Sequence, residues 1–152
     1  MPSITPSYLY TIIALIAVSS LLVFSFMAYA DALRSSSEVT QLKNLIDYVA
    51  AKSTELLTLA LTTNATVEAF LQMPTVIGNK QYWIQFYNDS TTVWLEGGFG
   101  NTPTEGTELR IYLPQEASTT GCYIGGYGAA CLKCHLETGI PQMHLANSSE
   151  GE

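Results

Sequence analysis

Apolar and polar positions divide the chain into three stretches. From Tyr8 to Ala30, YLYTIIALIAVSSLLVFSFMAYA, there is no charge, no proline and no glycine. A helix of that length covers about 35 Å, enough to cross a hydrocarbon core of about 30 Å. Tyr8, Tyr10 and Tyr29 stand at its ends, where aromatic rings favour the headgroup level. Ser19, Ser20 and Ser25 interrupt the apolar run, but serine hydroxyls bond back to the helix backbone. A soluble core helix is the competing reading, and the rest of the chain is too short to wrap a helix that is apolar on every side.

Beyond Ala30 the pattern becomes amphipathic. Leu42, Ile46, Val49, Ser53, Leu56 and Ala60 recur at spacings of 4, 3, 4, 3 and 4, which is the a/d seam of a helix. Leu45 and Leu57 widen that stripe, while Asp47, Lys52 and Glu55 fall off it. No glycine or proline interrupts residues 32 to 61. The pattern predicts one continuous helix, membrane-embedded first and amphipathic second, with a break at Ser35-Ser36-Ser37 as the alternative.

After Thr62 the period shortens to two. Val67, Ala69, Leu71 and Met73 alternate with Glu68, Phe70 and Gln72, a half-buried strand. Tyr82 to Tyr87 predicts a second strand with Tyr82, Ile84 and Phe86 on one face, and Thr92 to Leu95 a third. Gly97-Gly98, Gly100 and Pro103 read as a loop, Leu109 to Leu113 as a strand, and further strands flank Gly125-Gly126 and follow Gly139. The expected class is therefore α+β: a long N-terminal helix, then a small antiparallel β-sandwich or curled sheet, with the amphipathic half-helix covering one face. The expected division is a tail at 1–7, a transmembrane helix at 8–30, an amphipathic stalk at 31–61, a β ectodomain at 62–146 and an acidic tail at 147–152.

Charge narrows the function. The net charge is −7, with six Lys and Arg against 13 Asp and Glu, so a nucleic-acid footprint is absent. The expected partners are the lipid bilayer and other copies of the chain through the N-terminal helix. Residues 1–7, MPSITPS, hold no basic residue, unlike a secretory signal peptide, although Ala28-Tyr29-Ala30 fits a small-x-small cleavage site. The positive-inside bias is nearly silent, because Arg34 is offset by Asp31 and Glu38. Three acceptor triplets, beginning at Asn64, Asn88 and Asn147, suit glycosylation of an external domain. They favour a single-pass protein with its C-terminal domain outside.

A polarity-split helix followed by a small β domain resembles the archaeal type IV pilin-like and archaellin-like proteins. The stretch Leu71 to Tyr82, a strand, Pro74, a Gly78 turn and a Tyr-led strand, is similar to the first hairpin of such membrane-anchored proteins. The resemblance implies a helix that packs with copies of itself in a filament core or holds the subunit in the membrane. The chain departs from it at one point: no basic residue precedes the apolar stretch, where a prepilin peptidase would cut. A permanently anchored surface protein fits that departure.

The three cysteines allow two chemistries. Cys131-Leu132-Lys133-Cys134-His135 is a C-x-x-C-H run, the pattern of c-type haem attachment. Met143, His144 or Met73 would supply a sixth ligand, and the function would be electron transfer by a membrane-anchored monohaem cytochrome. Against it, Cys122 to Cys131 reads as a tight hairpin around Gly125 to Gly128. That register sets Cys122 opposite Cys131, with Cα atoms about 4.5 Å apart, within disulfide reach. Cys134 then faces the core side of the same strand. Zinc would require Cys131, Cys134, His135 and His144 together. Trp83, Trp94 and the tyrosine-rich strands serve either as core or as a ligand-binding surface. No G-x-S-x-G, P-loop or G-x-G-x-x-G run is present, and a non-enzymatic surface protein without a cofactor is the expectation.

Overall fold

The computed structural model describes residues 5–89, 91–104, 109–114 and 117–148. The chain forms two compact units, Met1–Ser37 and Glu38–Glu152. One helix, α1 (Thr5–Thr63), runs through the boundary between them. It ends at Asn64, whose φ of 50° is left-handed and whose N–H donates to the Ala60 carbonyl at 2.9 Å. Asparagine tolerates that conformation better than most residues, so it caps the helix. The serine run at 35–37 is helical throughout.

In the first unit, every described side chain from Pro6 to Ser37 is exposed. In the second unit, the helix seam is buried as its spacing predicts. Leu42, Ile46, Val49, Ser53 and Ala60 are fully covered, and Leu56 and Leu57 nearly so. The Ser53 hydroxyl, the one polar group in the seam, donates to the Val49 carbonyl at 2.7 Å. A buried hydroxyl without such a partner would cost roughly 1–3 kcal/mol.

The seam packs on a single sheet of seven strands: β1 (Val67–Leu71), β2 (Tyr82–Asn88), β3 (Val93–Phe99), β4 (Arg110–Tyr112), β5 (Ser118–Ile124), β6 (Ala130–Glu137) and β7 (Ile140–Asn147). Their spatial order is β1-β6-β7-β5-β2-β3-β4. All neighbours are antiparallel except β5 and β7, which are parallel. The fold is thus α+β, with one open sheet in place of a two-sheet sandwich. The strand faces follow the period-2 reading. Tyr82, Ile84, Phe86, Leu95, Tyr123, Leu132, Cys134, Met143 and Leu145 join the helix seam in one core.

Two local expectations are corrected. Gly97 and Gly98 belong to β3, not to a loop. A Cβ on Gly97 would sit 2.6 Å from Ile46 Cδ1, and one on Gly98 would sit 2.8 Å from the Trp83 ring. The glycines are there because the helix crosses close on one face and an indole lies flat on the other.

The second correction concerns Cys122 to Cys131. β5 and β6 do not form a hairpin, because β7 lies between them. The five residues from Gly125 to Ala129 carry the chain past the end of β7. Asn147 and Ser148 fill the gap. Asn147 Oδ1 accepts from the Ile124 N–H at 3.1 Å, and its Nδ2 donates to the Ile124 and Tyr127 carbonyls at 2.8 and 3.1 Å. Ser148 N–H donates to the Ala129 carbonyl at 2.8 Å, and its Oγ accepts from the Ala129 N–H at 3.1 Å. A side-chain amide and a serine replace the ladder that the hairpin would have supplied. The true tight hairpin is β6–β7, turned by Thr138 and Gly139 with φ of 52° and 86°, as a two-residue type I′ loop requires.

Candidate functional site

The first candidate is the apolar half of α1. Among the described residues one helix is long and apolar enough to cross a membrane, and its apolar window is unburied. The large side chains from Tyr8 to Leu33, including Leu15, Leu21, Phe24 and Phe26, are exposed, all but Ile12 by more than half. Such a run exceeds any apolar patch expected on a soluble monomer. Two of its polar groups bond back to the helix backbone: Thr11 Oγ1 donates to the Ser7 carbonyl at 3.0 Å and Ser20 Oγ to the Ile16 carbonyl at 2.7 Å. The seam at 42–60 is already covered by the chain's own sheet. The apolar stripe that α1 leaves uncovered is therefore that of its N-terminal half.

The second candidate is the cysteine cluster on β6. No disulfide joins Cys131 or Cys134 on β6 to each other or to Cys122 on β5. Cys131 lies opposite Phe70 on β1 and Ala146 on β7, whereas Cys122 is on β5, beyond β7. Two strand spacings put them about 9.5 Å apart, outside the ~7 Å limit for a disulfide between Cα atoms. The cross-strand pairing expected from a hairpin is not the pairing formed. Cys134 is fully buried in the core, on the face opposite Cys131. Burial pushes both thiols above their ordinary pKa, with the Glu68 carboxylate adding to the effect at Cys131.

The residues do not fit a haem. Its two thioether bonds need both thiols at one edge of the porphyrin, and β6 is held between β1 and β7 with its thiols on opposite faces. His135 lies on the Cys131 face, its Nδ1 buried without a hydrogen-bond partner among the described residues. No group of three or more His, Cys, Asp or Glu is arranged to hold a metal among the described residues. Cys134 and Met143, pairing across β6 and β7, are ordinary core.

The chain matches no protein family, no curated protein and no solved structure. Its layout, a long helix with an exposed apolar N-terminal half and an amphipathic half packed on a small sheet, is like that of a type IV pilin.

The glycosylation candidates separate by exposure. Asn64 is exposed at the helix cap and Asn88 at the end of β2, although Ser90 of the latter triplet lies outside the described residues. Asn147 is only 6% exposed, and its Nδ2, the atom a glycan would occupy, makes two hydrogen bonds to carbonyls. That position belongs to the fold.

The sheet face away from the helix holds a cluster that sequence reading left undivided. Tyr87, Trp94 and Tyr112 stand opposite one another on β2, β3 and β4, with ring centroids about 6 Å apart. Arg110 lies over Trp94 at 5.0 Å and pairs with Glu96. The Trp94 Nε1–H also donates to Glu96 at 3.0 Å. Glu96 is 2% exposed, and a carboxylate so buried requires those partners. Trp83 is fully covered. The tryptophans thus split between a buried ring and a half-exposed aromatic row. Glu38 was also missed: it is buried on α1 and paired with Lys80 at 2.8 Å. Its position, four residues before Leu42 on the same stripe, was the available signal.

Proposed function

We propose that the chain is a non-enzymatic, membrane-anchored surface protein of pilin-like design, a structural or adhesive subunit whose β domain lies outside the cell. The observation that supports this most is the contrast along α1. The 42–60 half has its apolar stripe matched by a sheet, while residues 8–30 are uncharged, exposed and matched by nothing among the described residues. Hydrocarbon or the same helix in other copies satisfies such a surface. Exposed Asn64 and Asn88 suit an external domain bearing glycans. The thiols on opposite faces of β6 favour this reading over electron transfer.

Protease treatment of intact cells tests the orientation. The β domain should be shaved off while a fragment containing residues 8–30 stays with the membranes. A chain cleaved only after lysis would place the domain inside and overturn the reading. Recovery of the chain in a sheared high-speed pellet would assign the filament form.

A further inference from the structure

We propose that β1 is a homotypic docking edge, pairing antiparallel with β1 of a second copy in a register centred on Ala69. β1 ends the strand order, so among the described residues no strand lies on its outer side and that edge can take an added one. Edge strands are normally guarded by lysine, proline, bulges or an uncompensated charge. None of these guards Val67-Glu68-Ala69-Phe70-Leu71. Its five residues pair with β6 without a bulge. Its single charge, Glu68, is neutralised by Lys133 at 2.5 Å. Phe70 is 67% exposed on the face away from the helix.

The sequence of β1 is also self-complementary. With a two-fold axis at Ala69, Val67 meets Leu71 of the second copy and Ala69 meets its own equivalent. All of these lie on the helix-side face, where Val67 and Ala69 are partly buried and Leu71 is fully covered. On the other face Glu68 meets Phe70 of the second copy, and the two phenylalanines become diagonal neighbours, within reach of aromatic side chains. The contact is isologous and closes at two copies. Any register shifted by one residue would set the apolar face of one copy against the polar face of the other.

The geometry selects which copies meet. The two-fold axis of an antiparallel pair is perpendicular to the sheet, so the two helix segments packed on it run in opposite directions. Neighbours with parallel helices do not meet this way, whereas copies borne on facing surfaces do. The edge therefore deepens the adhesive side of the function proposed above. The pairing itself does not rest on the anchor.

Site-directed crosslinking of the full chain in detergent micelles tests it, with Cys122→Ser and Cys131→Ser removing the partly exposed thiols. Ala69→Cys should form a reducible dimer, because its equivalents lie about 4.5–5.5 Å apart between Cα atoms. Val67→Cys should not, because its equivalents are displaced roughly 14 Å along the strands. Adding Phe70→Glu, which sets a carboxylate opposite Glu68 of the second copy, should abolish the Ala69→Cys dimer while leaving the circular dichroism unchanged. Absence of the dimer at 69 in a folded protein, or equal crosslinking at 67 and 69, would overturn the proposal. Either result would leave the membrane assignment untouched.

Discussion

Replacing Gly97 with alanine puts a methyl group between the helix and the sheet. The new Cβ would stand 2.6 Å from Ile46 Cδ1, 3.0 Å from Ile46 Cγ1 and 3.2 Å from the Trp83 carbonyl oxygen. Carbon atoms in good contact are about 3.5–4.0 Å apart, so close to an ångström of overlap must be relieved. Ile46 is fully buried and cannot swing into solvent. Trp83 is fixed in the ladders of β2 with β3 and β5. The expected cost is about 2–3 kcal/mol, toward the upper end for overpacking a tight core. Ile46→Val alone removes Cδ1 and should cost about 1 kcal/mol. In the double variant the deleted Cδ1 is the atom most in the way. The two changes should therefore cost ~1–2 kcal/mol less together than their sum, a coupling typical of residues in contact. Urea unfolding of the full chain in detergent micelles, followed by the fluorescence of Trp83 and Trp94, gives all four corners of the cycle. Costs that simply add, within about 0.5 kcal/mol, would show that the helix does not cross β3 at Gly97.

Further outcomes follow from the same contacts. Val49→Lys places a charge in the covered seam and should cost several kcal/mol, abolishing cooperative unfolding of the β domain; an unchanged urea midpoint would mean that the seam is solvated. Asn147→Ala removes the amide that bridges the β5–β6 connection and should cost about 2–3 kcal/mol by stranding backbone groups. Glycan mapping by mass spectrometry should find Asn147 bare. Burial raises the folded-state pKa of Tyr82, Tyr123, Cys131 and Cys134, Tyr82 by far the most, with the neighbouring Tyr123 adding to it. The folded state thus holds protons that the unfolded chain releases, so their contribution is intact below the unfolded thiol value of about 8.5 and falls as pH rises. Urea midpoints measured from pH 7 to 11 should fall progressively above that point; a flat profile would mean that these groups are solvated. At pH 8 iodoacetamide should leave Cys134 unmodified in the folded protein and alkylate it after unfolding.

Much of the fold was legible because it rests on short-range periodicity. The 4-3-4-3-4 spacing of Leu42 to Ala60 named the buried stripe residue by residue, and the alternation in Tyr82, Ile84 and Phe86 named the face beneath it. What failed was pairing between distant strands. Gly125 to Gly128 looks like a hairpin turn, and nothing local reveals that β7, arriving later in the chain, inserts between β5 and β6. The decisive residues, Asn147 and Ser148, resemble a glycosylation triplet in a polar tail. Only in three dimensions do they become the bonds that close the connection. Gly97 and Gly98 misled for a related reason: paired glycines usually mark a loop, but here each yields to a bulky neighbour, Ile46 on one face and Trp83 on the other. The C-x-x-C-H run is a motif whose chemistry depends on local conformation. On a loop or helix start its two thiols turn to one side; on β6 they part.

The proposed function turns on residues 8–30 holding the chain in a lipid bilayer. Alkaline carbonate extraction of native membranes, with immunoblotting for the β domain, tests it most directly. Full-length chain should remain in the membrane pellet. Full-length chain released into the supernatant would contradict the anchor.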